Sequence, residues 1–367
     1  MPKKTEEKKL PAVDALIDKL RKSYGPSIPN VMIAGSIKRL LLSSPRLNYI
    51  FGGGFALSRM YEFFGPESGG KTVLAAYIAG EVQRRKDDGP KRVLFVDMEH
   101  TFDINYAMTV GMIPDESVLT FVQPLHGDEG FTICQDLIQT GEYGLIIWDS
   151  IAATSTAAAL IDEYGKASFG ATAKLFSENL KKFNPYLSRY GTSMILTNQI
   201  RAKIGAKAMP GFPPPETTSG GFAPKFYASW RGRVSRTEDI TDGKEIIGNK
   251  IRVKDVKSKI GYPKRSAELT LLYGSGFNPD MEYVDFVDML GLVERAEKST
   301  WYKWEGKPVA QGKTQLMGWL RENPLIFENF KQQINEAFMH HSALDDTETV
   351  DSEAEAELAL LDAVSDE

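Results

Sequence analysis

Residues 65–72 read GPESGGKT and satisfy the phosphate-binding pattern G-x-x-x-x-G-K-[ST]. Gly65, Gly69 and Gly70 let the backbone N–H groups of a turn that also holds Pro66, Glu67 and Ser68 point inward at phosphate oxygens. Lys71 adds a point charge on the outer phosphates, and the hydroxyl of Thr72 suits a Mg²⁺ ion at the positive end of a helix. The flanks are the ones this chemistry needs. A short β-prone run, 59–64, precedes the turn, and in 73–85 the apolar Leu74, Ala75, Ile78 and Val82 recur at helical spacing.

Three further apolar runs end in polar groups. The first, 92–97 (RVLFVD), is followed by Glu99. Strands of an open α/β sheet aim their carboxyl ends at the ligand crevice, so Asp97 and Glu99 are placed to orient a water near the last phosphate or to take its proton. The bland alternative is an acid that caps a helix. The second run, 144–150, ends in Asp149, a residue type that holds Mg²⁺ through water when it follows a phosphate loop. The third, 192–197, ends in Asn198 and Gln199, amides expected to sense the γ-phosphate.

Charge is segregated beneath a net value of −5: residues 201–265 carry fifteen Lys or Arg against six Asp or Glu, whereas 326–367 carry twelve acids and one Lys. A basic middle and an acidic tail imply a polyanionic partner and an internal competitor for it. Solvated faces would explain the same counts. Within the basic part, 201–226 is rich in Gly, Pro and Lys, has no periodicity, and carries Arg201, Lys203 and Lys207; a loop of that length inside a domain is functional or disordered. Residues 162–170 (DEYGKASFG) resemble it in miniature, with Lys166 and an exposed-looking Phe169. Further on, Lys257 and Lys259 share one face of a strand at period two, either as functional cations or as the lysines of a solvated edge strand.

At 367 residues the chain can bury a sizeable core. The expected division is an arm over 1–34, a nucleotide-binding core over 35–276, a small α+β unit over 277–344 and an acidic, disordered tail over 345–367. In the arm, Ala12, Val13, Leu16, Ile17 and Leu20 form one helical stripe, ended by Gly25 and Pro26. The stretch 35–56 reads as a helix, an irregular piece and a Gly-rich turn. One cysteine, Cys134, and four scattered histidines argue against disulfides and a zinc site. A charged first ten residues and no apolar window of about 18 residues point to a cytoplasmic protein and no membrane partner.

Taken in order, the strings GPESGGKT (65–72), FVDMEHTFDINYA (95–107), LIIWDS (145–150), TNQIRAKIG (197–205), PETTSGGFAPKFYAS (215–229), RVKDVKSKI (252–260) and LLYGSG (271–276) resemble the RecA-type recombinases of bacteria and phages over about residues 14–324. The resemblance implies an α/β fold, a RecA-like core with a mostly parallel twisted sheet, a helical arm and a small C-terminal domain. It implies ATP and Mg²⁺ as cofactors, single- and double-stranded DNA as partners, and self-assembly into a helical filament that exchanges strands in recombination and repair. Lys71 and Thr72 would hold phosphate and metal, Glu99 would activate water, Asp149 would sit by the metal, and Gln199 would report the γ-phosphate to the following loop. Asp103, Tyr106, Tyr273 and Gly274 resemble an adenine pocket. The two loops resemble DNA-binding loops, with Phe169 and Ile204 inserting between base triplets and Gly170, Lys174, Lys181, Gly220 and Gly221 on the same surface. Lys257 and Lys259 would reach the γ-phosphate of a neighbouring subunit. Lys225, Phe226 and the arm around Ile28 would form the subunit interface.

Some positions depart from the family pattern. Gly69 replaces a usual serine, Trp148 precedes Asp149 where a smaller residue is common, Lys174 and Lys181 stand where arginine is usual, and the second loop is longer and contains Pro213, Pro214 and Pro215. Such divergence suits a phage or outlying member. A hexameric helicase-like ATPase is the alternative within the class. A DNA-coating protein that uses nucleotide only as a switch is the alternative outside it.

Overall fold

The structure, a computed structural model of the single chain, describes residues 12–24, 37–161, 170–202, 216–261, 263–296 and 299–340. Ile28, Lys166, Phe169, Lys203, Ile204, Lys207, Pro213 to Pro215 and the acidic tail lie outside these residues. The first half of the chain forms α1 (Ala12–Tyr24), β1 (Arg39–Leu40), α2 (Pro45–Ile50), β2 (Phe55–Ala56), β3 (Met60–Gly65), α3 (Lys71–Gln83), β4 (Arg92–Asp97), α4 (Ile104–Thr109), β5 (Leu119–Val122), α5 (Gly127–Ile138), β6 (Tyr143–Asp149), α6 (Ala157–Ile161) and α7 (Ala171–Tyr190). There follow β7 (Ser193–Ala202), β8 (Glu216–Thr218), α8 (Ala223–Tyr227), β9 (Trp230–Asp242), β10 (Glu245–Ser258), β11 (Ser266–Leu272), β12 (Gly276–Phe277), α9 (Pro279–Met289), β13 (Trp301–Trp304), β14 (Lys307–Gln311), α10 (Gly312–Glu322) and α11 (Pro324–His340).

By its internal contacts the chain divides into residues 1–38 and 39–367. In the first unit, α1 forms where the apolar stripe predicts it, with Leu16 55% exposed. In the second, a ten-stranded sheet runs in the order β12-β11-β10-β9-β3-β7-β6-β4-β5, with β8 paired to β7. The strands from β5 across to β9 pair in parallel, and β9 to β12 pair antiparallel. The continuous apolar runs of β4 and β6 are buried along nearly their whole length, as strands covered on both faces must be. The mostly parallel α/β sheet expected from the sequence is present.

One core cluster lies against β6 and β7, where Trp148 stacks on Phe131 with ring centroids 4.3 Å apart. Gly130 leaves the space: a Cβ there would stand 2.7 Å from the indole. The Trp148 indole N–H donates to Thr154 Oγ1 at 2.9 Å, so its polar atom is satisfied inside the core. Cys134 is buried in the same cluster, which pushes its thiol pKa up. A second cluster belongs to α9, α10, α11 and the hairpin β13–β14, the small C-terminal sheet and helices.

The stretch 35–56 differs from its expected helix, irregular piece and turn. Residues 37–44 form no helix, and Arg39 and Leu40 pair instead with Ala56 and Phe55. The helix starts only at Pro45, whose fixed φ suits a first helical position and whose predecessor Ser44 caps the turn by accepting from Leu47 N.

Ser44 also ties α2 to α9. Its Oγ donates to the buried Glu282 Oε2 at 2.5 Å, and Arg46 N donates to the same oxygen at 3.4 Å. Burial raises the Glu282 pKa from 4.5 to about 7 against the opposing pull of Ser44 and Arg46. The folded state therefore holds a proton that the unfolded chain releases between these two values, so this stabilisation is complete below pH 4.5 and is lost as pH rises through about 7. Urea unfolding across that window should show wild type losing roughly 3 kcal/mol relative to Glu282→Gln; parallel curves would place the ionisation elsewhere.

Candidate functional site

The carboxyl ends of β3, β4, β6 and β7 meet at one edge of the sheet, with Gly65 opposite Gln199 and Asp97 opposite Asp149. Between β3 and α3 the phosphate loop is tightly confined. A Cβ at Gly70, where φ is 94°, would stand 2.6 Å from Ile251 Cδ1, and one at Gly69 would stand 2.8 Å from Val234 O. A serine at 69 therefore finds no room beside this β9, which accounts for that departure. Pro66, Glu67 and Ser68 form the outer side of the turn, with Glu67 and Ser68 exposed. Lys71 is 8% exposed and donates to Pro66 O at 2.6 Å and Gly65 O at 3.2 Å. Burial lowers its pKa, while Asp149, Glu99 and Glu67 pull it back up. A phosphate would offer this ammonium charged acceptors in place of neutral carbonyls.

Asp149 is a buried acid at the end of β6. Thr72 Oγ1 donates to its Oδ2 at 2.6 Å and Thr197 Oγ1 to its Oδ1, yet burial raises its pKa, and the neighbouring Glu99 and Asp97 push the same way. A carboxylate so placed is relieved by a cation. The donors that converge here are all oxygen, which fits a hard divalent ion, and among the described residues no group of three or more His, Cys, Asp or Glu is placed to hold one. Oxygen ligands of this kind fit Mg²⁺, which takes few protein ligands and fills its shell from phosphate and water.

The structure separates the two acids that the sequence left as alternatives. Asp97 accepts from Glu99 N, His100 N, Phe102 N and Gln123 Nε2 at 2.9–3.3 Å, so it builds the turn after β4. Glu99 stands at the cleft, where Ser150 Oγ donates to its Oε1 at 2.5 Å and leaves the rest of the carboxylate for a water. The two amides also part. Asn198 is fully buried, and its amide donates to Glu62 Oε1 and Ser219 O, each at 2.9 Å, so the expectation that it faces a phosphate is corrected; Gln199 is half-buried opposite Gly65.

A cavity of 240 Å³ runs from Thr72, Asp149 and Glu99 to Asp103 and Tyr106. Asp103 caps α4 by accepting from Asn105 N and Tyr106 N, which fixes it at the wall. Burial and then Tyr273 raise the Tyr106 pKa while Arg236 lowers it; of these three side chains Tyr106 lines the cavity. Tyr273 is 43% exposed and Gly274 turns the chain after it with φ 81°.

The basic residues lie on other elements. β11 pairs with β10 from Gly248 to Lys254, so Lys257 and Lys259 lie past the end of that ladder, where Lys257 pairs with Arg231 of β9 alone. Lys257 Nζ donates to Lys225 O at 2.5 Å and Phe226 O at 3.2 Å, Lys259 Nζ donates to Phe226 O at 3.3 Å, and neither lysine lines the cavity. Burial, Lys259 and Arg231 lower the Lys257 pKa from 10.5 to about 8. Phe226 is 67% exposed beneath them. Arg201, exposed at the end of β7, pairs with Thr217 of β8, so the limbs of the second loop close as a short ladder directly beyond Gln199. Gly220 and Gly221 take φ 83° and 71° on the returning limb. Gly170 begins α7, and Lys174 and Lys181 stand exposed two turns apart on it, Lys174 with Glu178 at 3.9 Å.

Reading residues in order missed Ser150, Thr197, Glu62, Arg231 and Arg236. The first two adjoin recognised motifs, and a hydroxyl beside a strand-end carboxylate was the available signal. Glu62 and Arg231 had none, because a lone acid and a lone base 169 positions apart announce no pairing.

A family model described as the RecA N-terminal domain matches residues 12–278. The RecA protein of Macrococcus caseolyticus is 33% identical over 357 residues, covering 96% of this chain and 97% of that protein. The RecA proteins of Staphylococcus epidermidis and Staphylococcus aureus are 35% and 34% identical, each covering 89% of this chain and 91% of the relative.

Removing the ammonium that closes the phosphate loop should separate ligand binding from folding. Lys71→Ala is expected to weaken binding of a fluorescent ATP analogue by about 100-fold, the loss expected for charge-assisted bonds, with an unchanged circular dichroism spectrum. Wild-type affinity in a titration would show that the loop holds no phosphate.

Proposed function

This chain is a member of the RecA family, and on that premise we propose that it is a DNA-dependent ATPase that forms helical filaments on single-stranded DNA and pairs that strand with homologous duplex in the cytoplasm. The observation that carries this reading is the shared edge: the phosphate loop, Glu99, Asp149, Gln199 and the stem of the long basic loop stand side by side at the ends of adjacent strands.

The phosphates of ATP bind along Gly65–Thr72, with Lys71 on the outer oxygens. Thr72 and Asp149 would hold Mg²⁺, which would supply positive charge against the phosphates. Glu99, oriented by Ser150, takes the proton of the attacking water. Adenine lies in the part of the cleft walled by Asp103 and Tyr106, with Tyr273 and Gly274 beside it. Gln199, one residue before the β7–β8 ladder, reports the γ-phosphate to the 201–226 loop. That loop and 162–170 bind single-stranded DNA through Arg201, Lys203, Lys207 and Lys166, with Phe169 and Ile204 as wedges between bases and with Lys174, Lys181 and the glycines Gly170, Gly220 and Gly221 shaping the surface.

Lys257 and Lys259 complete the site of the next subunit. Their own cleft does not include them, they sit on an exposed patch with Lys225 and Phe226, and cations of this kind stabilise charge on a transferring phosphoryl group as an arginine finger does. Phe226 and Lys225 pack in that interface, and the arm around Ile28 links one subunit to its neighbour.

Lys257→Ala with Lys259→Ala should lower DNA-stimulated phosphate release by about 100-fold or more while nucleotide binding persists. A mixture of this variant with Glu99→Gln should recover part of the turnover, since each subunit supplies what the other lacks. No recovery at any ratio, with co-assembly verified by electron microscopy, would remove the shared site, and closed rings in place of filaments would favour the helicase-like alternative.

A further inference from the structure

A fully buried, ion-paired acid lies outside the cleft. Glu62, on β3 three residues before Gly65, is fully buried, and both its carboxylate oxygens are bonded. Oε1 accepts from Asn198 Nδ2 at 2.9 Å and Oε2 from Arg231 Nε at 2.5 Å. A buried charge costs several kcal/mol unless it is paired, and a buried ion pair is often no more stabilising than apolar residues of the same size. Stability alone therefore gives little reason for this arrangement.

Its partners give a better one. The second amide hydrogen of Asn198 goes to Ser219 O at 2.9 Å, and its Oδ1 accepts from Gln199 N at 3.0 Å, which engages both amide hydrogens and the oxygen. Ser219 lies on the returning limb of the long basic loop, and the two glycines after it are pressed against the core: a Cβ at Gly220 would stand 2.7 Å from Ile151 Cγ2, and one at Gly221 2.9 Å from Ala173 Cβ. That limb has no slack. Arg231 lies between Glu62 and Lys257 at one level of three adjacent strands, with its guanidinium 4.7 Å from the Phe64 ring. One carboxylate thus joins the phosphate-loop strand, the backbone of Gln199, the loop's return and the strand that carries Lys257.

We propose that Glu62 is a positioning residue that couples occupancy of the long basic loop to occupancy of the phosphate loop, acting through Asn198 and Ser219 on one side and Arg231 on the other. This inference rests on the proposed function, since it presumes that the loop binds DNA and the cleft binds ATP. A ligand that displaces the loop's returning limb shifts Ser219, and the shift reaches Gln199 and β3 because Asn198 is bonded to Ser219, Gln199 and Glu62. Coupling of this kind is reciprocal: nucleotide must change DNA affinity by the factor by which DNA changes nucleotide affinity.

The test measures binding of a fluorescent single-stranded oligonucleotide to the full chain with and without a slowly hydrolysed ATP analogue, together with ATP turnover. In Glu62→Gln the ratio of the two DNA dissociation constants should fall by at least about tenfold from the wild-type value, a typical coupling factor, while analogue affinity without DNA and the KM for ATP change less than about twofold. DNA-stimulated kcat should fall with KM unchanged, a split that a loosened structure does not produce. Asn198→Ala keeps the ion pair and should lose the same ratio, so it carries the test if Glu62→Gln does not fold. A wild-type ratio in either folded variant, or loss of folding in both, overturns the inference and leaves the proposed function standing. A wild-type chain whose DNA affinity ignores nucleotide overturns the proposed function, and the inference with it.

Discussion

Two carboxylates, Asp97 and Asp149, end adjacent parallel strands in register, and the folded chain must keep these like charges at one place in a buried edge. The solutions differ. Asp97 is surrounded by four donors and becomes the scaffold of the turn that carries Glu99. Asp149 receives two hydroxyls and remains a charge that burial disfavours, with Lys71 facing the same space from across the loop. The strand order leaves no other place for them, so the surrounding chemistry is organised around supplying donors and positive charge at that edge. A site that favours a cation and a phosphate together is the physical result.

The parts of this arrangement that follow from local pattern were legible in the sequence. Continuous apolar runs bounded by polar ends marked β4, β6 and β7, the glycine-rich turn marked the phosphate loop, and the shift in composition after Gly276 marked the C-terminal helices and hairpin. What local pattern does not contain is the partner of a buried polar group. Asn198 reads as a twin of Gln199 until the register of β3 against β7 places Glu62 beside it. Lys257 and Lys259 read alike as edge lysines or functional cations, and the carbonyls of Lys225 and Phe226 that hold them come from α8, which strand spacing does not place. Residues 37–44 form no helix, and Arg39 and Leu40 pair instead with Ala56 and Phe55, a pairing set by tertiary structure and not by spacing.

Positive charge is handled on the same principle as negative charge. Arg231, Lys257 and Lys259 crowd one region, and that crowding together with burial lowers the Lys257 pKa. The cluster is held by one buried carboxylate and by the carbonyls at the end of α8. Carbonyl oxygens attract an ammonium group without cancelling its charge, so the lysines stay oriented yet remain open to a stronger acceptor.

The contact between Gly69 and Val234 O bears on how this chain came to differ from its relatives. Strand β9 lies so close to the phosphate loop that a single added carbon would collide with its backbone. Loop and strand are therefore sterically matched in this chain: a side chain at position 69 fits only where the strand withdraws. A chimera that carried a serine-bearing loop from a relative into this chain would inherit a steric conflict, even though every phosphate-binding residue in it was correct. Interchangeable motifs, on this view, are bounded by the backbone that leans on them, and the unit of exchange is the loop together with the strand behind it.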